Sequence, residues 1–592
     1  MINGAIEIAA DETMRENERF RVRLPDADND VLVAAGKPSH AMVAAGPAVP
    51  DDIESLLSDL DPILRTRVTR SLQDLSIDPN NASLLNNAGM GYLTVGRLDE
   101  ALSYFRRAAE ADPAFLRARL NAVRCLLAKG QGEDALDYCQ KLNAEFPNHP
   151  QALAELGRIY GQLGRASEAI AALDQAIERQ PRNAAVVYER GVMRILDQDI
   201  SKAISDFRTV VNLDPRSAAA HNALGVCFLA RGSVDKAIRS MRVALELDKG
   251  RPEPRTNLAT AYMKAGRTLE AAQLLEGALA LFSLDSHATE LLAQAYHRLG
   301  KHEASVRLLR QVLSRFEDED GDKRTLARLH NNMGIALASL GQLESAEKHH
   351  QESLELNDET PVAFHNLARV YLRQGKLNQA KALLARYGNR FGDGVTVAIA
   401  GQVARRTGDY SRALELFERA IQLEPDEPGA YAALSALVAD WSSDHSKAIE
   451  VLQQGLRRVP NHPVLLNNLA YSLLMAGEIS RARRVLDRIL GLQDNVFVCA
   501  TRGLLLIREG NLAEGSRLYN RAAELASDAG LKALARQKKN LEVARYWKER
   551  NQPDKALRYA TMAAEIKAPE PFYAAEASSM VEELKRSDAR GV

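Results

Sequence analysis

Alanine recurs at positions 101, 135, 169, 203, 237 and 271, and every step is 34 residues. The run continues with small shifts at Ala346, Ala380, Ala413, Ala448, Ala482 and Ala556. A fixed period of this kind means one supersecondary unit copied along the chain. A unit this short cannot bury an apolar face by itself, so its copies must stack on one another. That single feature excludes an ordinary globular core for most of the 592 residues.

The period has a helical interior. With Ala82 as position 1, Leu85, Gly89 and Tyr92 fall at positions 4, 8 and 11, and Ala101, Phe105 and Ala108 at positions 20, 24 and 27. Spacings of three and four put each set on one face of a helix. Between the two helices, position 15 is Gly96, Gly130, Gly164, Gly232, Gly266, Gly300, Gly341, Gly375, Gly408, Gly477 or Gly510, a residue that ends helices in the left-handed conformation. Proline at position 32 (Pro113, Pro147, Pro181, Pro215, Pro425 and Pro460) stops the second helix, because it lacks the amide donor and clashes with the preceding turn. The small residues at positions 8 and 20 let the two helices approach, and large ones at 11 and 24 fill the remaining space.

These residues resemble the tetratricopeptide repeat (TPR) family, over about 82–570. The resemblance implies an all-α, right-handed TPR-type solenoid of about fourteen helix–turn–helix units, starting near 82, 116, 150, 184, 218, 252, 286, 327, 361, 394, 429, 463, 496 and 537. Units two, seven and thirteen depart from the pattern, with Val123 and Cys139, Ser305 and Gly515 at core positions. Residues 1–50 lack periodicity and read as a flexible tail, and 51–81 as N-terminal capping helices. The array divides into units one to seven (82–326) and eight to fourteen (327–570), and 571–592 read as a closing helix and tail. Excess residues at 317–323 and 527–537 read as extensions of helix–helix turns.

The chain carries no GxxxxGK[ST] phosphate loop, HExxH or GxSxG. The glycine-rich 391–396 (FGDGVT) has no lysine and reads as an inter-repeat turn. Nothing outside the array is long enough for a catalytic domain, unlike O-GlcNAc transferase-like proteins, in which such repeats precede a glycosyltransferase domain. The expectation is therefore a non-enzyme without cofactors. His330, His349, His350 and His365 are the densest histidine set. Position 24 faces the core and position 23 points elsewhere, so these four cannot converge on one ion, and no metal is expected. The acidic run at 317–322 reads as solvated charge, and Cys125 and Cys139 as small buried hydrophobes.

Lys plus Arg is 77 and Asp plus Glu is 78, a balance that argues against a nucleic-acid partner. No uncharged apolar run reaches the ~18 residues of a membrane span. The first twenty residues lack a basic lead followed by an apolar stretch, so the expected location is cytoplasmic.

Position 6 of the first helix holds Asn87, Asn121, Asn257, Asn332, Asn366 and Asn468, although asparagine is a mediocre helix former. In a TPR-like superhelix this position lines the concave surface, and the pattern resembles the asparagine ladder by which O-GlcNAc transferase holds peptide backbone. Helix capping or bonds between neighbouring hairpins are the alternative roles. Glu155, Glu189, Leu291, Ile399 and Leu434 interrupt the ladder. Arg124, Arg158 and Arg369 at position 9 add positive charge to the groove wall, for acidic partner residues or for salt bridges to adjacent units. No unit has arginine at position 6 or asparagine at position 9, which argues against the carboxylate clamp of chaperone-binding TPR proteins. The resemblance thus implies a protein-interaction scaffold or adaptor whose groove receives a protein or peptide segment. The alternative is a regulatory or assembly subunit of a separate enzyme, or of a pilus, secretion or polysaccharide-export machine.

Overall fold

The computed structural model describes residues 62–250, 253–281, 286–318, 322–359, 361–489, 495–526, 529–568 and 571–588. The expected tail at 1–50 and the first part of the expected N-terminal cap lie outside these residues. Every regular element among the described residues is a helix, and they form fourteen antiparallel hairpins, from Ala82–Thr94 with Leu98–Ala111 to Ala529–Glu549 with Pro553–Ala564. Pro62–Asp74 precedes the first hairpin, and Pro571–Asp588 follows the last. The fold is an all-α TPR-type solenoid. Two compact units divide the chain between Leu291 and Leu292.

Each hairpin turns where glycine predicts it. All eleven glycines at position 15 have positive φ, from 69° at Gly300 to 94° at Gly510. In the three hairpins without glycine the same place is taken by Gln198, Ser443 and Asn551, with φ of 62°, 53° and 53°. The stacking geometry thus imposes the left-handed conformation even on residues with a Cβ that disfavours it.

The two helices of a hairpin close on positions 8 and 24. A Cβ on Gly89 would lie 2.6 Å from the Phe105 ring, one on Gly191 2.8 Å from Phe207, and one on Gly401 2.7 Å from Phe417. The three rings are fully buried. Five hairpins place alanine at position 8 (Ala259, Ala293, Ala368, Ala436 and Ala470) and leucine at position 24: Leu275, Leu309, Leu384, Leu452 and Leu486. The second hairpin reverses the sizes, with Val123 facing the small Cys139, both fully buried. What looks like a departure in the sequence is a volume-conserving exchange, the kind that close-packed interiors tolerate best. Burial pushes the thiols of Cys125 and Cys139 up to about 11 and about 12, so both stay protonated and inert at neutral pH.

Where the segments 317–323 and 527–537 are described, they lengthen helices. His302–Asp318 and Lys323–Ser339 each run 17 residues, and Ala529–Glu549 runs 21. Asp322 starts the second of these as an N-cap, accepting from the amides of Arg324 and Thr325 at 3.4 and 3.0 Å. The eighth and fourteenth first helices therefore begin at 323 and 529, ahead of the expected 327 and 537. The 391–396 segment is the inter-repeat turn its sequence suggests: Gly392 closes one helix at φ 59°, and Asp393 caps the next by accepting from the Thr396 amide at 2.6 Å. At the chain's end Tyr573, Ala577, Met580 and Leu584 form the buried stripe of Pro571–Asp588.

The half-buried His297 lies at the end of Ser286–Arg298, its ring centroid 5.0 Å from that of His302. Burial first, then the nearby His302 and Arg298, pushes its pKa down to about 4. The unfolded chain takes up this proton near pH 6.5, while the folded chain resists until about pH 4. The resulting stability is complete above pH 6.5 and falls as the pH drops toward 4, by at most about 1.4 kcal/mol per pH unit. Urea midpoints at pH 7 and pH 5 should differ more for the wild type than for His297→Leu, and equal differences would remove the claim.

Candidate functional site: the seam of first helices

The first helices of most successive repeats pack directly on one another, for example Ala82–Thr94 on Leu116–Ala128, and Pro428–Trp441 on Pro463–Met475. Among the described residues, no second helix makes comparable contact with the second helix of the next repeat. Each repeat is therefore a wedge, narrow on the first-helix side, and within each unit the first helices line the inner side of the local curvature. Positions 6 and 9 sit along this seam.

In the first unit, Asn121 Nδ2 donates to Asn86 Oδ1 at 2.9 Å and Asn257 Nδ2 to Asn222 Oδ1 at 3.0 Å. In the second, Asn366 Nδ2 donates to Asn331 Oδ1 at 3.0 Å. Each bond joins position 6 of one repeat to position 5 of the repeat before it. All six of these side chains are buried. Asn332 and Asn468 are buried as well, while Asn87 is half-buried on the first array helix. A buried amide needs partners, and the neighbouring repeat supplies them.

The interruptions at Glu155 and Glu189 prove to be ionic rungs of the same ladder. Glu155, 2% exposed, pairs with Arg124 of the preceding repeat and with Arg158 of its own at 3.0 Å. Arg158 then reaches Glu189 of the next repeat at 2.5 Å. Position 9 of one repeat thus bridges to position 6 of the next, so two arginines and two glutamates link three hairpins. Arg369 is buried and donates to Asn366 Oδ1 at 3.3 Å, which fixes the amide that spans the seam. Of the three arginines only Arg124 is about half-exposed, with 49% of its side chain open to solvent. Sequence reading named the position-6 donors and missed their position-5 acceptors, although the spacing of 35 residues between Asn86 and Asn121, Asn222 and Asn257, and Asn331 and Asn366 carries the signal.

A second arginine–carboxylate network lies in the fourth repeat. Asp206, 2% exposed, accepts from Arg190 at 2.6 and 3.1 Å and from Arg194 at 2.7 Å, and Arg190 also pairs with Asp174 of the preceding repeat at 2.7 Å.

The four clustered histidines separate. His350 is fully buried against Gly334, and His365 lies 2.9 Å from Thr396 Oγ1 and 3.3 Å from Asp393 Oδ1. His330 and His349 meet each other, with their Nδ1 atoms 3.0 Å apart. No described helix is long and apolar enough to cross a membrane.

Comparison with known proteins agrees with this architecture. Family profiles described as tetratricopeptide repeat match residues 92–143, 126–188, 197–252, 284–359, 326–387, 395–437 and 442–496, more than half of the chain. Among curated proteins, the human protein O-mannosyl-transferase TMTC1 is 26% identical over 110 residues, which is 19% of this chain and 12% of that protein's length. Among solved structures, one from the anaphase-promoting complex hetero-tetramer Cut9–Hcn1 superposes with a TM-score of 0.53 at 14% identity, covering 80% of this chain and 91% of that one. A thermophilic TPR protein of Thermus thermophilus is 24% identical over 31% of this chain and 99% of its own, with a TM-score of 0.28. TPR arrays are generally non-catalytic scaffolds that bind protein or peptide. The recurring hairpins, their left-handed turns and the profile matches together place this chain in the tetratricopeptide repeat family.

Proposed function

We propose that the chain is a scaffold or adaptor whose inner, first-helix surface receives an extended or helical segment of a partner protein, in cytoplasmic surroundings and without turnover. The observation that carries this reading is the wedge shape of the repeats. It leaves first helices from consecutive hairpins side by side on one surface, so a single segment can touch several repeats at once. Two patches support it, one around Asn87, Asn121, Arg124 and Arg158, the other around Asn332, Asn366 and Arg369, with a further amide at Asn468 and another at Asn257. A seam amide carries two donor hydrogens and an acceptor oxygen, groups that complement a peptide backbone. Arg124, pulled toward Glu155 yet about half-exposed, suits an acidic side chain on the partner.

The full chain is used to capture partners from its source cells, the captured proteins are identified by mass spectrometry, and each is titrated against purified protein. Asn332→Ala with Asn366→Ala should weaken binding about tenfold, the worth of one or two hydrogen bonds, and leave helicity almost unchanged. Equal affinity of wild type and double variant would overturn the proposed peptide contact. A role as subunit of a separate enzyme or export machine would appear instead as stable co-purification with that assembly.

A further inference from the structure

We propose that His330, His349 and Glu352 form a binding site for a single first-row divalent cation, zinc being the ion that two imidazoles and a carboxylate fit well. His330 comes from Lys323–Ser339, and His349 and Glu352 from Leu343–Leu356, the two helices of the eighth hairpin. His349 and Glu352 stand three residues apart, so their side chains share one helix face. That face meets His330 across the hairpin.

The donor atoms form a nearly equilateral triangle. His330 Nδ1 is 3.0 Å from His349 Nδ1 and 2.9 Å from Glu352 Oε2, and His349 Nδ1 is 3.1 Å from the same oxygen. An ion bonded at about 2.1 Å to three adjacent corners of an octahedron holds those corners about 3.0 Å apart, and a tetrahedral ion holds them about 3.4 Å apart. The triangle therefore matches one face of an octahedron as it stands, and a tetrahedron after shifts of a few tenths of an ångström.

Proton counting points the same way. An imidazole nitrogen offers either one hydrogen or one lone pair, and a carboxylate oxygen only lone pairs. Three such atoms, each within hydrogen-bond distance of the other two, cannot make three well-aligned hydrogen bonds, because each Nδ1–H points along one direction. A cation above the triangle takes a lone pair from all three at once. His330 is held in place by burial, with 9% of its side chain exposed, whereas Glu352 is 51% exposed and His349 27%. The remaining coordination positions thus open toward solvent, where water or a side chain of a bound partner completes the shell. The ion would also cross-link the hairpin, since its ligands come from both helices.

The test uses the full chain, stripped with a chelator and titrated with zinc chloride by calorimetry. The expected result is one equivalent bound at least about tenfold more tightly than any zinc taken up by the other histidines. His349→Ala and Glu352→Gln, at a half-buried and an exposed side chain, should each weaken that equivalent about tenfold or more, while His221→Ala on a different hairpin leaves it unchanged. Cobalt(II) serves as a second readout: its visible absorption on binding the wild type should be lost in Glu352→Gln, whose helicity is checked by circular dichroism. Identical zinc stoichiometry and affinity in the wild type and the His349→Ala, Glu352→Gln double variant, or no tight equivalent in the wild type, overturns the proposal.

Discussion

Phe417→Ala should destabilise the tenth hairpin, Gly394–Arg406 with Tyr410–Leu423, by about 3–5 kcal/mol, the range for truncating a buried phenylalanine. The ring is fully buried and lies against Gly401, where a Cβ would come within 2.7 Å of it, so the backbone already approaches as closely as it can and has little room to collapse into the cavity. Because a stacked array unfolds locally as well as globally, the effect should be read by hydrogen exchange of amides in this hairpin rather than from one melting temperature. The companion experiment isolates the packing rule. Gly401→Ala alone overpacks the contact, against a helix-propensity gain of about 1 kcal/mol. Adding Phe417→Leu recreates the alanine–leucine pair found at Ala368 and Leu384 or Ala436 and Leu452, and the double variant should recover to within about 1 kcal/mol of the wild type. If the double variant is no better protected than Gly401→Ala alone, positions 8 and 24 do not exchange volume as described.

Asp206→Ala should cost about 3 kcal/mol, from a different cause. Its carboxylate is 4% exposed and takes three hydrogen bonds from Arg190 and Arg194, whose side chains are only 17% and 14% exposed. Removing it leaves two cations close together in partial burial with Asp174 as their remaining counter-charge, and breaking one partner of a buried pair is far more costly than the pair's net worth. Replacing the cluster together, with Arg190→Leu and Arg194→Tyr beside Asp206→Ala, should restore most of the loss, since the one charge then left, on Asp174, is 45% exposed and solvated. Denaturant midpoints of the three proteins check this. A triple variant as unstable as Asp206→Ala would mean that the carboxylate acts through something other than the two arginines.

The seam between first helices has two duties in this reading, and they limit each other. Amides at Asn121, Asn257 and Asn366 hold repeat to repeat, and the same residues lie on the surface proposed to meet a partner. A ligand competing fully for them would loosen the stack it binds to. The half-exposed Arg124 eases that conflict, because its guanidinium reaches solvent while its pair with Glu155 stays closed.

The sequence by itself determined the hairpin, its turn and its packing classes. A 34-residue period, left-handed glycines and paired small and large positions are local or nearly local requirements, and one chain carries fourteen tests of them. It also determined that Gly96 and its counterparts turn the chain, because only a residue without a Cβ adopts that backbone at little cost. What it left open was decided by contacts between repeats, which lie one period or more apart. Only the stack brings Asn86 under Asn121 and makes Glu155 a rung instead of a gap. One meeting within a single hairpin was also left open, that of His330, His349 and Glu352. Their positions within the repeat are plain, but whether the rings turn toward one another depends on the rotation of two antiparallel helices about their axes, and packing of the whole hairpin fixes that rotation.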